Sequence, residues 1–469
     1  MGRTVRRAIW LTIAVWPQLA GAAGFYFGEN GAKALSMGGA FTAQADDLTA
    51  IEHNPAGLAR QNGFSFLVDA QLLSHQVGFL RKDPQGATTT ANEVHNEGGL
   101  FFLPNVGLGK SFLVGGQPFT LAFGVYGPPT VGRYQYPTPN YDKDENGRYL
   151  SSPRKSAPQR YTLIKSDVII LYPSLAAAYQ VRPRVAVGAS LQYVVSRFQF
   201  SRAIYSGLST PTSQRDEDPI FDSIVSVDLQ GKGSFTGILG VQARPTDTWW
   251  LGASVRPPVP IHAEGKMVLE LGEAARGLKS QVVGDRSDLD LTLPLEARVG
   301  AHWQTTAALG LNLDLVYQGW QSVQEYLLTP REMTLQVASG PPTPVEPIHI
   351  VKRWHASWSG RLGGAYAVTQ ALTVRAGALF ETAAAPEEQT DIDFLHFTRL
   401  IGTAGLGYQL GALEVLGGFA FAPTLTQEVT TSGVRAISTD PQTPGGIVGL
   451  GTYSSGGWVG TLGVRGRFE

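Results

Sequence analysis

The chain has 469 residues, no cysteine and a formal net charge of -1 at pH 7. This length suits about two or three soluble domains or one large barrel. The lack of cysteine excludes disulfides, thiolate metal sites and cysteine nucleophiles, and the near-neutral charge gives no reason to expect nucleic acid as a partner.

Residues 1–22 match the pattern of a secretory signal peptide. Arginines precede a short apolar core at residues 8–16, and the small residues 20–22 fit a cleavage site. The alternative, a membrane anchor, needs about 20 apolar residues, which neither this core nor any later segment provides. The sequence therefore predicts export with a cleaved signal peptide, followed by a soluble fold or an outer-membrane β-barrel.

Residues 23–62 form a polar, turn-rich segment with neither helical nor strand periodicity. The segment contains "AQADDLTAIEHNPAGLA" at 43–59. In this stretch Pro55 fixes its own φ and biases Asn54 towards extended backbone. The composition is too mixed for a further strand, so the role of the segment depends on the fold that follows it.

Residues 63–469 show a period-two alternation. In "RVAVGASLQYVVS" (184–196), apolar residues at odd positions alternate with mostly small or polar residues at even positions. This alternation indicates strands with one apolar face. About fourteen strands are predicted, with bounds good to a few residues, at 63–78, 99–113, 117–127, 164–180, 184–202, 224–243, 247–258, 286–303, 307–322, 352–368, 371–382, 396–410, 412–424 and 453–468.

The length of these strands favours a membrane barrel over a soluble sandwich. Most run for about ten residues or more, which a tilted strand needs to cross a bilayer, whereas soluble strands usually have about five or six. Aromatic residues such as Trp458 often close the apolar runs, as an interfacial girdle would. We therefore expect an all-β, transmembrane antiparallel barrel of about 14 strands in the bacterial outer membrane. The long predicted loops follow odd strands at 128–163, 203–223, 259–285, 323–351, 383–395 and 425–452.

A barrel of this size encloses more space than its own wall side chains fill. We therefore expect residues 23–62 to fold inside the lumen as a hatch, where wall arginines and backbone groups would pair its acidic residues. The alternative is an exposed N-terminal loop with an ordinary turn. The predicted hatch residues are Asp46, Asp47, Asn54, Pro55 and Ala56.

Blocks along the mature chain resemble, in order, the FadL/TodX family of outer-membrane transporters for hydrophobic compounds. The resemblance implies a hatch-filled barrel that takes up apolar molecules such as long-chain fatty acids or aromatic hydrocarbons. The chain departs from the family at "TAAAPEE" (382–388) and at its end, where Glu469 follows Phe468. The similar blocks are "AGF" at 23–25, "ADD" at 45–47, "NPA" at 54–56, "LPNVGLG" at 103–109, "LTLP" at 291–294, "LVYQGW" at 315–320 and "RLGGAYAVTQALTVRAGALFE" at 361–381.

The resemblance also implies a route: capture at extracellular loops, an internal pocket, a hatch rearrangement and lateral exit through a kink in the third strand. The segment "LAFGVYGPPTVGRYQY" (121–136) fits a kink, because proline cannot donate to a ladder and glycine weakens it. The alternative is that these residues merely end the strand. The predicted lateral-gate residues are Gly124, Gly127, Pro128 and Pro129.

The predicted pocket lies at the outer end of the fifth strand, where every second residue is still expected to face the lumen. Two phenylalanine rings and a guanidinium facing the lumen suit an apolar tail with a carboxylate head. The alternative is an arginine that pairs with an acid of the hatch or wall. The predicted ligand-binding residues are Phe198, Phe200 and Arg202, with Arg353 as a similar candidate across the barrel.

Two rival functions are a barrel enzyme of the lipase or esterase type and a non-selective porin. The sequence has no G-x-S-x-G, H-E-x-x-H, Walker or G-x-G-x-x-G motif, and nothing in it places a serine beside His53 or His75. We expect a monomeric transporter that is not an enzyme and has no cofactor or metal. Its expected partners are a hydrophobic ligand, outer-membrane lipid and lipopolysaccharide, and the barrel assembly machinery.

Overall fold

The computed structural model of the protein describes residues 28–84, 92–128, 132–207, 210–212, 216–338, 340–395, 397–438 and 445–468. The predicted signal peptide, Pro129 and Glu469 lie outside these ranges. Within them, no helix is both long enough and apolar enough to cross a membrane.

Strands dominate the described chain, and every helix is short. The helices are α1 (Ala32–Leu35), α2 (Ala50–His53), α3 (Pro153–Ser156) and α4 (Glu273–Gly277), with 3-10 helices at Pro55–Arg60, Pro219–Phe221, Trp320–Ser322 and Glu387–Gln389. The strands are β1 (Phe64–Arg81), β2 (Val94–His95), β3 (Phe101–Val114), β4 (Gln117–Tyr126), β5 (Arg133–Gln135), β6 (Lys165–Arg182), β7 (Val185–Tyr205), β8 (Asp222–Gly231), β9 (Ser234–Ala243), β10 (Trp249–Arg256), β11 (Val259–Glu270), β12 (Gln281–Val283), β13 (Arg286–Leu293), β14 (Glu296–Gln304), β15 (Leu309–Gln318), β16 (Glu325–Arg331), β17 (Thr334–Gln336), β18 (Thr343–Pro344), β19 (Ile348–Val351), β20 (Ser357–Ala367), β21 (Leu372–Glu381), β22 (Arg399–Leu410), β23 (Leu413–Val429) and β24 (Gly451–Phe468).

The wall is a closed ring of 14 antiparallel strands. β1 pairs with β3 on one side and with β24 on the other, where Phe64 lies opposite Phe468 and Arg81 lies opposite Gly451. This pairing of the first and last strands leaves no open edge. Some wall strands are built from two successive segments, namely β8 with β9, β10 with β11, β13 with β14 and β15 with β16. The predicted transmembrane barrel is confirmed.

The two faces of the wall follow the predicted alternation. On β7, the outward-facing Leu191 is 55% exposed, whereas the neighbouring lumen-facing Gln192 is fully buried. β1 alternates in the same way, with Val68 and Leu72 outward and Asp69 and Gln71 inward. A continuous outward band of apolar side chains is what a barrel presents to lipid.

The wall extends farther than predicted on one side. The predicted loops 259–285 and 323–351 contain β11 and β16, which both pair with β13, and the predicted strand 224–243 is interrupted between β8 and β9. On β11 the alternation is reversed: the buried residues Val259, Ile261 and Ala263 are apolar, whereas the more exposed His262 and Glu264 between them are polar. A pattern that expects apolar residues on the outer face therefore does not detect this strand.

The N-terminal segment fills the inner half of the lumen, which is the half at the end of β24 marked by Phe468. Asp314 of β15 accepts hydrogen bonds from the amides of Phe41 (2.9 Å) and Thr42 (2.7 Å). Wall glycines leave room for its backbone: a Cβ on Gly363 or Gly377 would lie 2.3 Å from backbone atoms of Met37. Residues 29–59 are almost all buried, as expected of a hatch inside the barrel.

Candidate ligand pocket and wall opening

The predicted hatch residues all lie in the lumen. Asp46 forms an ion pair with Lys33 of α1 (2.6 Å), and Asp47 accepts a hydrogen bond from the amide of Thr49 (2.9 Å) just before α2. Asp47 also lies 3.7 Å from Arg465 of β24. The acids of the hatch therefore have the charged and backbone partners that a buried carboxylate requires.

Asn54 joins two parts of the hatch to the wall. Its side-chain amide donates to the carbonyls of Thr42 (2.9 Å) and Val241 (3.0 Å), and its Oδ1 accepts from the amide of Ala56 (3.2 Å). Pro55 then starts the 3-10 helix, a position that needs no backbone donor. This turn lies against Gly188 and Gly240, where an added Cβ would come within 2.4 and 2.1 Å of hatch atoms.

A layer of paired charges, which we call the charged septum, covers the outer side of the hatch. Glu52 accepts from Arg256 (2.6 Å), and Arg298 contacts both Glu296 (2.8 Å) and Glu29 (3.3 Å). These side chains surround a cavity of about 20 Å³ that Pro128 also lines. The septum consists of Glu29, Glu52, Arg256, Glu296, Arg298, Arg361, Glu381 and Arg399.

The pKa values of the two hatch glutamates in the septum are shifted in opposite directions from the ordinary value. Burial raises the pKa of Glu29, but Arg361 and Arg298 together outweigh it, so the pKa lies below its ordinary value. Burial also raises the pKa of Glu52, and there Arg256 offsets burial only in part, so the pKa lies above its ordinary value. Glu29 therefore stays ionised to a lower pH than Glu52 does.

The third wall strand is interrupted next to the septum. β4 ends at Tyr126, and pairing with β6 resumes at Arg133, opposite Asp167. Between them, the carbonyl of Gly127 accepts a hydrogen bond from Asn30 of the hatch (2.9 Å) and the carbonyl of Gly132 accepts one from the amide of Val168 (2.6 Å). We call this interruption the wall break, and its described residues are Gly127, Pro128 and Gly132.

Among the four predicted gate residues, Gly127 and Pro128 lie in the wall break and Gly124 does not. Gly124 lies in the regular ladder, opposite Gly107 of β3 and Ser174 of β6. Pro129 is outside the described residues. The wall break therefore begins after Tyr126, and a gating role for these residues stays a prediction.

An apolar cavity of about 60 Å³ lies in the outer half of the lumen. Three of the predicted ligand-binding residues line it together, as the parity of β7 indicates: Phe198, Phe200 and Arg202. Phe200 also packs against both of the large apolar clusters that fill the outer lumen. The remaining lining comes from Thr162, Leu163, Ser166, Val168, Leu289, Leu291, Tyr326, Ile350, Asp393 and Phe394.

A larger outer cavity of about 880 Å³ lies beyond the first and includes the fourth predicted residue, Arg353. Arg353 is exposed and has a φ of +49°, the left-handed region that bulky residues seldom adopt. Arg202 lines both cavities and therefore marks the boundary between them. The cavities thus form a series from the loops towards the wall break.

Sequence reasoning did not identify a buried group of charges beside Arg202. Lys352 Nζ lies 2.5 Å from Asp393 and 3.7 Å from Asp391, and its side chain is 2% exposed. Arg202 donates to the carbonyl of Tyr161, with one bond of 3.1 Å. We call Arg202, Lys352, Asp391 and Asp393 the charge cluster. Lys352 precedes the predicted Arg353, but only the fold shows which of the two faces inward.

The structure corrects one sequence-based expectation about histidine. A serine does lie beside His75: Ser455 Oγ is 2.9 Å from Nε2, and Tyr134 is 3.0 Å from Nδ1. The Ser455–His75 pair joins β1 to β24, strands that are adjacent only because the barrel closes, so local sequence patterns could not predict it. His53 instead contacts the carbonyl of Asn30 (2.9 Å) within the hatch.

Comparisons with known proteins agree with this architecture. Residues 13–468 match the family described as outer membrane protein transport protein (OMPP1/FadL/TodX). No curated protein sequence matches the chain. A Pseudomonas aeruginosa FadL homologue is similar in structure, with 14% identity, coverage of 95% of this chain and 100% of that chain, and a TM-score of 0.71. The toluene transporters TbuX of Ralstonia pickettii and TodX of P. putida each share 15% identity over 95% of this chain, covering 99% and 100% of theirs, with TM-scores of 0.62 and 0.63.

Proposed function

The chain belongs to the OMPP1/FadL/TodX family of outer-membrane transport proteins, and we propose that it takes up small hydrophobic molecules by lateral exit through the wall break. The observation that carries the proposal is the contact between the apolar cavity and the wall break. Val168 lines the cavity, and its amide donates to Gly132 of the break (2.6 Å). A ligand in the cavity is thus separated from the lipid by little more than the edge of β6.

The side chains along this route are apolar. Phe101 lies beside Gly132 and Leu103 lies beside Gly127, and both belong to the apolar cluster that Phe200 joins to the cavity. A hydrophobic solute gains free energy by moving between dehydrated apolar surfaces, whereas a water-filled pore offers it no such gain. The outer cavity, open to the long loops, provides the site of capture.

The charged septum directs the ligand sideways rather than through the hatch. An apolar molecule that entered the septum would have to separate buried ion pairs, and breaking one such pair typically costs about 3–5 kcal/mol. The hatch rearrangement in this proposal is therefore confined to its outer edge, where Asn30 holds the carbonyl of Gly127. Release of that hydrogen bond frees the broken strand without undocking Asn54 from the wall.

The test is uptake of labelled hydrophobic compounds, including oleate and toluene, by a host that lacks its own transporter. Gly127→Trp fills the wall break, and Gly402→Trp is the matched control because Gly402 is exposed and has open space around it. We expect the first variant to lose uptake at least tenfold and the second to match the unaltered protein, with fractionation confirming insertion of both. Equal uptake by both variants would reject lateral exit, and uptake of no compound would reject the transport function itself.

Two rival functions are tested with the same preparations. The Ser455–His75 contact favours an esterase test, in which hydrolysis of a neutral ester that disappears in Ser455→Ala would support an enzyme. Steady ion conductance in planar bilayers would support a porin, which the docked hatch should prevent. We further infer that the protein is a monomer in outer-membrane lipid and lipopolysaccharide and is inserted by the barrel assembly machinery.

A further inference from the structure

The exterior of the wall carries a histidine and three acids on the strand pair β11 and β13, beyond the lipid-facing band. These strands are antiparallel, with His262 opposite Asp290 and Glu264 opposite Asp288. Side chains two positions apart on a strand point to the same side of the sheet. Leu289, which lies between the two aspartates, lines the apolar cavity inside the lumen. The four polar side chains therefore form a square on the outer face.

The imidazole of His262 has a carboxylate at each of its nitrogens. Nδ1 lies 2.7 Å from Asp290, and Nε2 lies 3.2 Å from Glu264 Oε1. A histidine that binds a metal through one nitrogen commonly donates its other N–H to a carboxylate, which fixes the tautomer and the orientation of the ring. Two ligands of a tetrahedral zinc ion lie roughly 3.3–3.6 Å apart. Asp290 is thus placed to orient the ring, and Nε2 and Oε1 have nearly the spacing of two ligands.

Each of the two carboxylates opposite one another has one oxygen fixed by a neighbouring cation. Lys232 Nζ lies 2.5 Å from Glu264 Oε2, so Oε1 is directed towards His262. Both contacts of Arg331 with Asp288 are made to Oδ2, at 2.5 Å. Such outer partners restrict the rotation of a ligating carboxylate. One ligand atom from each of His262, Glu264 and Asp288 lies within 4.8 Å of the other two, and closing this set around an ion takes side-chain movement of about 1 Å.

The donor atoms of the square favour a transition metal over Ca²⁺ or Mg²⁺. One imidazole nitrogen with carboxylate oxygens suits zinc and neighbouring first-row ions, whereas Ca²⁺ and Mg²⁺ prefer oxygen ligands alone. The side chains of His262 and Glu264 are each 42% exposed. An open groove of about 430 Å³ on the same face is lined by His262 and Asp290. An ion can therefore reach the ring from outside, and water can complete its coordination.

A second histidine on the outer face provides an internal comparison. His349 of β19 lies 3.0 Å from Glu325 of β16, and both side chains are about as exposed as those of the square. Within the described ranges, no second acid completes a three-ligand set there, whereas Asp288 completes one with His262. An exposed ion-pair network without metal would treat the two histidines alike, and a metal site would not.

We propose that His262, Glu264 and Asp288 bind a divalent transition-metal ion of the zinc class on the exterior of the barrel, with Asp290 as a positioning residue. The bound ion links β11 to β13 and so braces a strand whose inner face lines the apolar cavity. The site lies outside the lumen, so the inference goes beyond the proposed transport function and does not depend on it. It departs from the sequence-based expectation that the protein has no metal.

The experiment titrates Zn²⁺ into the purified full-length barrel, prepared without a histidine tag, and measures binding by calorimetry. The hydrogen bond from Asp290 raises the pKa of His262, so the buffer is mildly alkaline to keep the ring neutral. We expect one saturable ion that excess Ca²⁺ or Mg²⁺ does not displace. His262→Ala should lose this ion, whereas the matched control His349→Ala should bind it like the unaltered protein. Glu264→Gln replaces His262→Ala if that variant does not insert.

Two further measurements separate coordination from a purely structural role. Asp290→Ala should weaken Zn²⁺ binding roughly tenfold, and Asp290→Asn, which still accepts from Nδ1, should recover most of that loss. Zn²⁺ should slow hydrogen exchange of the β13 amides in the unaltered protein and in His349→Ala, but not in His262→Ala. The absence of a saturable ion, its retention in His262→Ala or its equal loss in His349→Ala would overturn the proposal. Unchanged affinity in Asp290→Ala would reject the positioning role.

Discussion

The Asn54 side chain should control how often the hatch leaves the wall. Asn54→Ala removes three buried hydrogen bonds, two donated to Thr42 and Val241 and one accepted from Ala56. Only the bond to Val241 joins the hatch to the wall, and at about 1 kcal/mol net for a bond, docking weakens by about 1 kcal/mol. Since each 1.4 kcal/mol is a factor of about ten, the open fraction should rise roughly fivefold.

The absence of cysteine makes this opening measurable, because one introduced thiol is the only one in the chain. Ser36 is fully buried beneath the hatch surface, so the maleimide labelling rate of Ser36→Cys reports hatch opening. We expect Asn54→Ala to accelerate labelling roughly fivefold and Asn54→Asp, which also lacks the donor to Val241, to accelerate it at least as much. Asn146→Ala, in an exposed loop, is the control. A labelling rate for Asn54→Ala within about twofold of that of Asn146→Ala would refute the assigned role of Asn54.

Three further predictions concern the hatch, the cavity and its charges. Gly188→Val should displace the Asn-Pro turn and open a measurable conductance in planar bilayers, whereas Gly402→Val, in open space, should leave the barrel closed. Phe200→Ala removes apolar surface worth about 1–2 kcal/mol and should weaken toluene binding roughly tenfold in titration calorimetry. Burial and the neighbouring Asp393 raise the pKa of Asp391, so acidification neutralises this carboxylate at a higher pH than an ordinary aspartate. The binding of an alkyl sulfonate, which stays anionic, should therefore strengthen as the pH falls, and a flat pH profile would contradict this.

The lipid-facing wall could be predicted from local sequence because each strand meets the same two environments. An apolar outer face and a polar inner face impose a period of two, and the predicted strand 184–202 corresponds to β7 at Val185–Tyr205. The same rule fails for β11 and β16, because their outer faces lie beyond the apolar band that the barrel presents to lipid. Their strand character depends on pairing with β13, which is a property of the folded sheet.

The pocket could be predicted only where it follows strand parity. Phe198, Phe200 and Arg202 face inward because their register on β7 continues from the lipid-facing part of the strand. Asp391 and Asp393 belong to the segment between β21 and β22, in which no periodicity indicates direction. Their pairing with Lys352, 41 residues away from Asp393, exists only after the loop folds over the lumen. The charge cluster could therefore not be predicted from the sequence.

Under the proposed function, the position of the polar groups explains how the barrel excludes water and ions yet admits hydrophobic molecules. The septum and hatch fill the inner lumen with paired charges, which a small apolar molecule has no means to separate. The outer lumen offers apolar surface down to the level of Val168 and Gly132. In the proposed route, this surface sets the direction of transport because it leads to an interrupted strand that borders the membrane. Permeation in this proposal requires only local movement at Asn30 and Gly127, while the contact of Asn54 with the wall keeps the remainder of the hatch docked.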